Sequence, residues 1–188
     1  IYYTDSLMIG FYQDASQVGI YNVALPTAGL LFIIPESIFV LFVPLMTHYV
    51  VKKKKKEFQR LFYKSFWFSF FLNLPIALAL IFLPHLIISV LFGKAYVAGS
   101  LALSILAIGY FFRLTFLPYT KLLEVLKKQQ SILIITLIAC VMNVVLNILL
   151  IPSYSIIGGA LATSLTYVFI GMSNFFLARG YAKEFIQT

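Results

Sequence analysis

Three ionisable residues stand inside apolar runs of the sequence: Asp5, Glu36 and Arg113. Charge at membrane depth is costly, so such residues face a bundle interior or a water-filled cavity. An arginine there offers a planar fork of donors that matches phosphate oxygens in a bidentate way. Glu36 follows Pro35, where a helix loses a backbone hydrogen bond and can bend. Together the three suit the binding of a charged group inside a membrane. Each also has a plainer account. Arg113 lies toward one end of its run, where its side chain can snorkel to the headgroups. Glu36 can simply pair with Arg113. Asp5 lies so near the first residue that its depth stays open.

A second set is polar but uncharged. Thr136, Cys140, Asn143 and Asn147 follow an i, i+4, i+7, i+11 spacing, which puts them on one helical face. A polar stripe on an otherwise apolar helix faces protein or water. Asn143 and Asn147 can bind sugar hydroxyls or hydrogen-bond a neighbouring helix, and helix packing is the preferred reading. The same choice applies to Ser65, Ser69 and Asn73. Gly158 with Ala162, and Gly159 with Thr163, form small-xxx-small pairs that let helices approach closely.

Catalytic constellations are missing from the sequence. His48 and His85 are isolated, there is one cysteine, and no zinc-protease, nucleophile-elbow or aspartate-rich motif occurs. The expectation is a protein with no enzymatic step, no cofactor and no metal site.

The elements that must position these residues follow from composition. The 188 residues are 62% hydrophobic and 11% charged, against about a quarter charged in a soluble domain. A surface facing water is excluded, and an integral membrane protein remains. A span needs about 20 mostly apolar residues. Runs of that kind lie near 1–12 (a half span), 22–48 (kinked, with Pro26, Pro35 and Pro44), 64–84, 100–119, 131–151 and 156–178. His85 to Phe92 continues beyond Pro84 as a short interfacial segment. The runs are continuously apolar and about twice the length of a barrel strand, so helices are expected. The fold class is an all-α, multi-pass transmembrane helix bundle.

Charge sets the orientation. The net charge is +8, and 12 of the 14 basic residues fall in three hydrophilic breaks: Lys52 to Lys64, Lys121 to Lys128, and the tail with Arg179 and Lys183. Placing the first break in the cytoplasm puts all three there and the weakly charged loops outside, as the positive-inside rule requires. Phe62, Tyr63, Phe66 and Trp67 follow the lysine run as an interfacial aromatic belt. No folded soluble module accompanies the basic residues, so nucleic acid is not an expected partner. The chain opens Ile1-Tyr2-Tyr3 with neither an initiator Met nor a signal peptide. It reads as a helix already under way, in a piece of a longer protein.

The order of several motifs is similar to a known family. Asp5-Ser6-Leu7-Met8-Ile9-Gly10-Phe11 is followed by Val18-Gly19-Ile20-Tyr21-Asn22-Val23-Ala24, then Ile34-Pro35-Glu36-Ser37-Ile38 and Pro44. Leu91-Phe92-Gly93-Lys94-Ala95-Tyr96 comes next. Asn143-xxx-Asn147-Ile148-Leu149-Leu150-Ile151-Pro152 and Gly158-Gly159-Ala160-Leu161-Ala162-Thr163 close the pattern. Over essentially its whole length the chain resembles the C-terminal half of a polysaccharide-biosynthesis flippase of the multidrug/oligosaccharidyl-lipid/polysaccharide exporter superfamily. The resemblance implies one of two similar bundles around a central cavity. It also implies export of a lipid-linked oligosaccharide by alternating access, without ATP hydrolysis. The implied partners are the lipid-linked saccharide, membrane lipids and the N-terminal bundle of the same protein. Arg113 is the best match to a cavity cation, and Glu36, Asp5, Asn143 and Asn147 complete the candidate set. A multidrug exporter of the same superfamily, a membrane glycosyltransferase and a structural membrane subunit are the rival readings.

Overall fold

The computed structural model describes residues 3–187, with side-chain surroundings up to residue 181. Ile1 and Tyr2 therefore lie outside the described residues, as does the side chain of Lys183. Helices dominate, and no strand occurs among the described residues. They are α1 (Thr4–Tyr12), α2 (Ala15–Gly29), α3 (Ile33–Val51), α4 (Lys55–Phe82), α5 (Pro84–Phe92), α6 (Ser100–Thr115), α7 (Leu117–Val125) and α8 (Gln129–Gln187). A single 3-10 turn joins α2 to α3 at Leu30–Phe32, and a two-turn 3-10 helix precedes α6 at Lys94–Gly99. Among the described residues four stretches are long and apolar enough to cross a membrane: Ala15–Val51, Lys55–Phe82, Lys94–Val125 and Gln129–Tyr181. The last is two helices, because Ser155 leaves the helical region at φ 51° and splits α8 into arms 129–154 and 156–187.

Several expected boundaries move. The run placed at 22–48 starts at Ala15, because the Asp14 carboxylate accepts from the Gln17 N–H at 2.9 Å and caps the helix there. The expected kink is local. Pro35 has no N–H for the Leu31 carbonyl, and the chain tightens into the 3-10 turn just upstream. The run placed at 100–119 breaks at Phe116, since Pro118 leaves the Leu114 carbonyl without its donor. That break creates α7, a short helix absent from the sequence reading.

Reversals occur at residues of positive φ: Lys53, Gly93, Lys127 and Ser155. The two lysine turns share one motif. Lys54 N–H bonds the Tyr49 carbonyl and Lys53 N–H the Val50 carbonyl. Lys128 and Lys127 repeat this with Leu123 and Glu124. Both are Schellman caps with lysine in the left-handed position usually held by glycine.

Two apolar clusters hold the bundle. The larger contains Ile9, Leu25, Leu103, Leu106 and Ile151 among its buried members, and the smaller, beside the lysine turns, contains Met46, Phe58, Leu122 and Leu123. The tightest crossing joins α6 to the second arm of α8. A Cβ on Gly109 would lie 2.5 Å from the Ser164 Cα, and the Ser164 hydroxyl donates to the Ile105 carbonyl at 2.8 Å. Gly159 admits the Ile9 and Tyr21 side chains of α1 and α2 in the same way. Gly158 instead clears the Leu150 carbonyl across the Ser155 turn. On α4, Ser65, Ser69 and Asn73 are buried. Ser65 donates to the Phe62 carbonyl at 2.7 Å and Asn73 to the Ser69 carbonyl at 2.8 Å. The Ser65 hydroxyl and the Asn73 amide are thus taken up by carbonyls of their own helix.

Candidate functional site

The polar residues gather in two places. Asp5 is fully buried among α1, α2 and both arms of α8. Its Oδ2 accepts from the Tyr21 hydroxyl at 2.9 Å and from the Thr163 hydroxyl, and its Oδ1 accepts from Asn147 Nδ2 at 2.6 Å. Asn147 Nδ2 also reaches Asn143 Oδ1 at 3.3 Å, and Asn143 Nδ2 donates to Thr163 Oγ1 at 3.3 Å. Asn147 Oδ1 is buried without a partner among the described residues.

Helix register explains why four of these five meet, with Asn143 one turn from Asn147 on the same arm. Asp5 precedes Gln13 by eight residues, and Tyr21 follows it by eight. Asn147 precedes Ser155 by eight, and Thr163 follows it by eight. At about 1.5 Å per residue each side chain sits roughly 12 Å from its turn. The two turns are tied together: Gln13 Nε2 donates to the Ile151 carbonyl at 3.4 Å, and the Ser155 hydroxyl donates to Gln17 Oε1 at 3.3 Å. Four arms measured from one pinned end bring their polar residues to one level.

The cage holds six oxygen atoms: two of Asp5, the Tyr21 and Thr163 hydroxyls, and the amide oxygens of Asn143 and Asn147. No cationic side chain pairs with Asp5 among the described residues. A carboxylate buried this way is neutralised by a proton or by a small hard cation among oxygens. No cluster of three or more His, Cys, Asp or Glu occurs among the described residues.

The second place is a cleft of about 210 Å³ between α3, α6, α7 and α8, lined in part by Glu36, Arg113, Lys121, Glu124, Thr136 and Asn174. Lys121 Nζ lies 3.6 Å from Glu36 Oε2 and 3.3 Å from Glu124 Oε1. Asn174 Nδ2 donates to the Thr120 hydroxyl at 2.9 Å. Arg113 has no ion pair and no hydrogen-bond acceptor among the described residues. Its guanidinium instead lies 4.8 Å from the Tyr167 ring centroid and 5.3 Å from that of Phe32. Those two rings also line an adjoining groove of about 330 Å³ with Pro26, Leu30 and Tyr110. Cation–π contact holds the guanidinium in place while leaving its in-plane donors unspent.

The Glu36–Arg113 pair, the plainer alternative for Glu36, is therefore not formed. Lys121 takes Glu36, and this lysine, read from the sequence as a loop anchor, is a cleft residue with a side chain 17% exposed. The break at Phe116 is what turns it inward, on a helix the apolar run concealed. Nor do all five candidate residues share one cavity. Glu36 and Arg113 line the cleft, whereas Asp5, Asn143 and Asn147 form the closed cage. Tyr21 and Thr163, the other two members of the cage, were not singled out for it. Both are neutral residues in apolar surroundings, and only the common register marks them.

An all-helical membrane bundle with an interior charged cleft and a buried carboxylate cage has the build of a transporter bundle. The chain belongs to the MatE family, whose model matches residues 1–149. Members of that family are transporters and flippases, not enzymes. An uncharacterized membrane protein of Methanocaldococcus jannaschii is 30% identical over 88% of the chain and 33% of its own length. A probable low-salt glycan biosynthesis flippase of Haloferax volcanii is 24% identical over 97% of the chain and 38% of its own length. A capsular polysaccharide biosynthesis protein of Staphylococcus aureus is 28% identical over 75% of the chain and 35% of its own length. The chain thus spans little more than a third of these relatives.

Proposed function

We propose that this chain is one bundle of a membrane flippase that moves a lipid-linked oligosaccharide or polysaccharide precursor by alternating access. A second, N-terminal bundle of the same protein closes the central cavity. The observation that carries the reading is Arg113, an arginine held between two aromatic faces at a polar cleft with its donors uncommitted. A guanidinium in that state suits the phosphate oxygens of a lipid-linked diphosphate. The Glu36–Lys121–Glu124 group beside it balances charge, so the cleft is selective for a headgroup and does not act as a general anion trap. The oxygen cage around Asp5 is the coupling site, loading and releasing a proton or monovalent cation as the bundles rock. Substrate enters from the cytoplasmic leaflet, on the side of the Lys53 and Lys127 turns, in keeping with the positive-inside rule. The names of the Haloferax and Staphylococcus relatives support the saccharide class.

The test uses the full-length protein in a strain lacking it. Arg113→Ala should abolish saccharide export at unchanged protein level, and Arg113→Lys should restore only part, because a point charge replaces a bidentate fork. Resistance to cationic dyes should not change with either variant. Normal export by Arg113→Ala would overturn the role of Arg113 in the cleft, and a loss of dye resistance with export intact would favour a multidrug exporter.

A further inference from the structure

The outer face of α4 carries a pattern that neither polar site uses. Its inner face is buried at Phe58, Phe62, Ser65, Ser69, Asn73, Ala77 and Leu80. That register leaves Lys56, Arg60, Lys64, Trp67 and Phe71 as one exposed row, each three or four residues after the last. The row changes character along its length. Its first three members are basic, with Glu57 beside them as the one acid, and a recess of about 450 Å³ opens between Lys56, Glu57 and Arg60. One turn further on, Lys64, Trp67, Phe68 and Phe71 line an almost wholly apolar groove of about 460 Å³. Trp67 and Phe71 stack there with centroids 5.6 Å apart and an interplanar angle of 24°.

Depth agrees with this order. The 28 residues of α4 extend about 42 Å, well beyond the roughly 30 Å of a hydrocarbon core. With the core beginning near Lys64, Arg60 lies about 6 Å out among the headgroups, and Phe71 about 10 Å in among the upper acyl carbons. An aromatic belt and the positive-inside rule account for Trp67 and for basic residues at this level, but not for their alignment as one row on one exposed face. The row suits a ligand with a negative head and an apolar tail, aligned along the membrane normal.

We propose that this stripe is a docking site for an anionic phospholipid of the leaflet that borders the Lys53 turn. Arg60 and Lys64 hold the phosphate, and one acyl chain lies in the groove against Trp67 and Phe71. The proposal is independent of the transported cargo, because the face points away from both polar sites.

Trp67 is the only tryptophan in the sequence and reports on its own groove. The full-length protein is placed in nanodiscs containing phosphatidylglycerol or phosphatidylcholine brominated near the headgroup end of the acyl chain, at equal mole fraction. The Trp67 signal is taken as the difference from Trp67→Phe. Brominated phosphatidylglycerol should quench Trp67 at least about two-fold more than brominated phosphatidylcholine, and added salt should reduce that preference. The double variant Arg60→Gln with Lys64→Gln should lose the preference, and Arg60→Lys with Lys64→Arg should keep it. Equal quenching by both lipids in the wild type would overturn the proposal. So would a preference that survives the glutamine pair, or no quenching by either lipid, which would mean that protein covers the face.

Discussion

Replacing Asp5 separates the structural from the functional part of the carboxylate cage. Asp5→Ala removes the acceptor for three interhelical hydrogen bonds, from Tyr21, Thr163 and Asn147. Asn147 keeps its bond to Asn143 Oδ1, and Thr163 keeps the one it accepts from Asn143. Tyr21 loses the carboxylate that accepts its hydroxyl. At roughly 0.6 kcal/mol per interhelical bond in a membrane, the loss is about 2 kcal/mol. A hydroxyl left buried and unpaired costs a similar amount, about 1–3 kcal/mol. Asp5→Asn behaves differently. Its carbonyl can keep Tyr21 and Thr163, and once the Asn147 amide turns over its new NH2 group can donate to Asn147 Oδ1, at the expense of the bond from Asn147 Nδ2 to Asn143 Oδ1. Its stability should stay within about 1 kcal/mol of wild type. Thermal unfolding of the full-length protein in detergent should therefore rank wild type and Asp5→Asn together, with Asp5→Ala several degrees lower. Transport should fail in both, because neither side chain exchanges a proton or attracts a cation as a carboxylate does. Equal melting of the two variants would refute the hydrogen-bond account of the cage. Wild-type transport by Asp5→Asn would refute the coupling role.

Other consequences of the geometry are simpler to read. Gly109→Ala should lower the melting temperature by an amount reflecting about 1–3 kcal/mol, since its Cβ must displace backbone of the α8 arm; Gly19→Ala, with open space at its Cβ, should be neutral or gain up to about 1 kcal/mol. Lys127→Gly should raise stability by about 1 kcal/mol by relieving a left-handed residue at φ 57°, and an unchanged melting temperature would show that the Schellman geometry costs lysine nothing here. Glu36→Lys should impair function, and Glu36→Lys with Lys121→Glu should recover part of it. The coupling should be under about 1 kcal/mol, since the Glu36 side chain is 47% exposed.

The membrane class, the helical architecture and the identity of the odd charges were legible because each breaks an otherwise apolar run. Asn143 and Asn147 were legible as a pair for the same reason, being one helical turn apart. Their partners were not. The meeting of Asp5 with Tyr21 and Thr163 depends on two reversals being tied at one end of the bundle, a long-range fact that no local pattern carries. Thr136 shows the limit of the stripe argument. It shares a face with Asn147, yet eleven residues, or roughly 16 Å, separate them. One lines the cleft and the other the cage. Lys121 was hidden by a different cause. A single proline two residues beyond Phe116 divides a run that hydropathy reads as continuous, and the short helix after it carries the lysine inward.

Direct measurement of flipping bears most closely on the central claim. The full-length protein is reconstituted in liposomes with a fluorescent lipid-linked diphosphate disaccharide, and the fraction of label reached by a membrane-impermeant quencher is followed with time. Wild type should move the lipid between leaflets, and Arg113→Ala should slow that movement at least about ten-fold, the loss of one charge-assisted bidentate contact. Flipping by Arg113→Ala at the wild-type rate, or no flipping by wild type at all, would contradict the account.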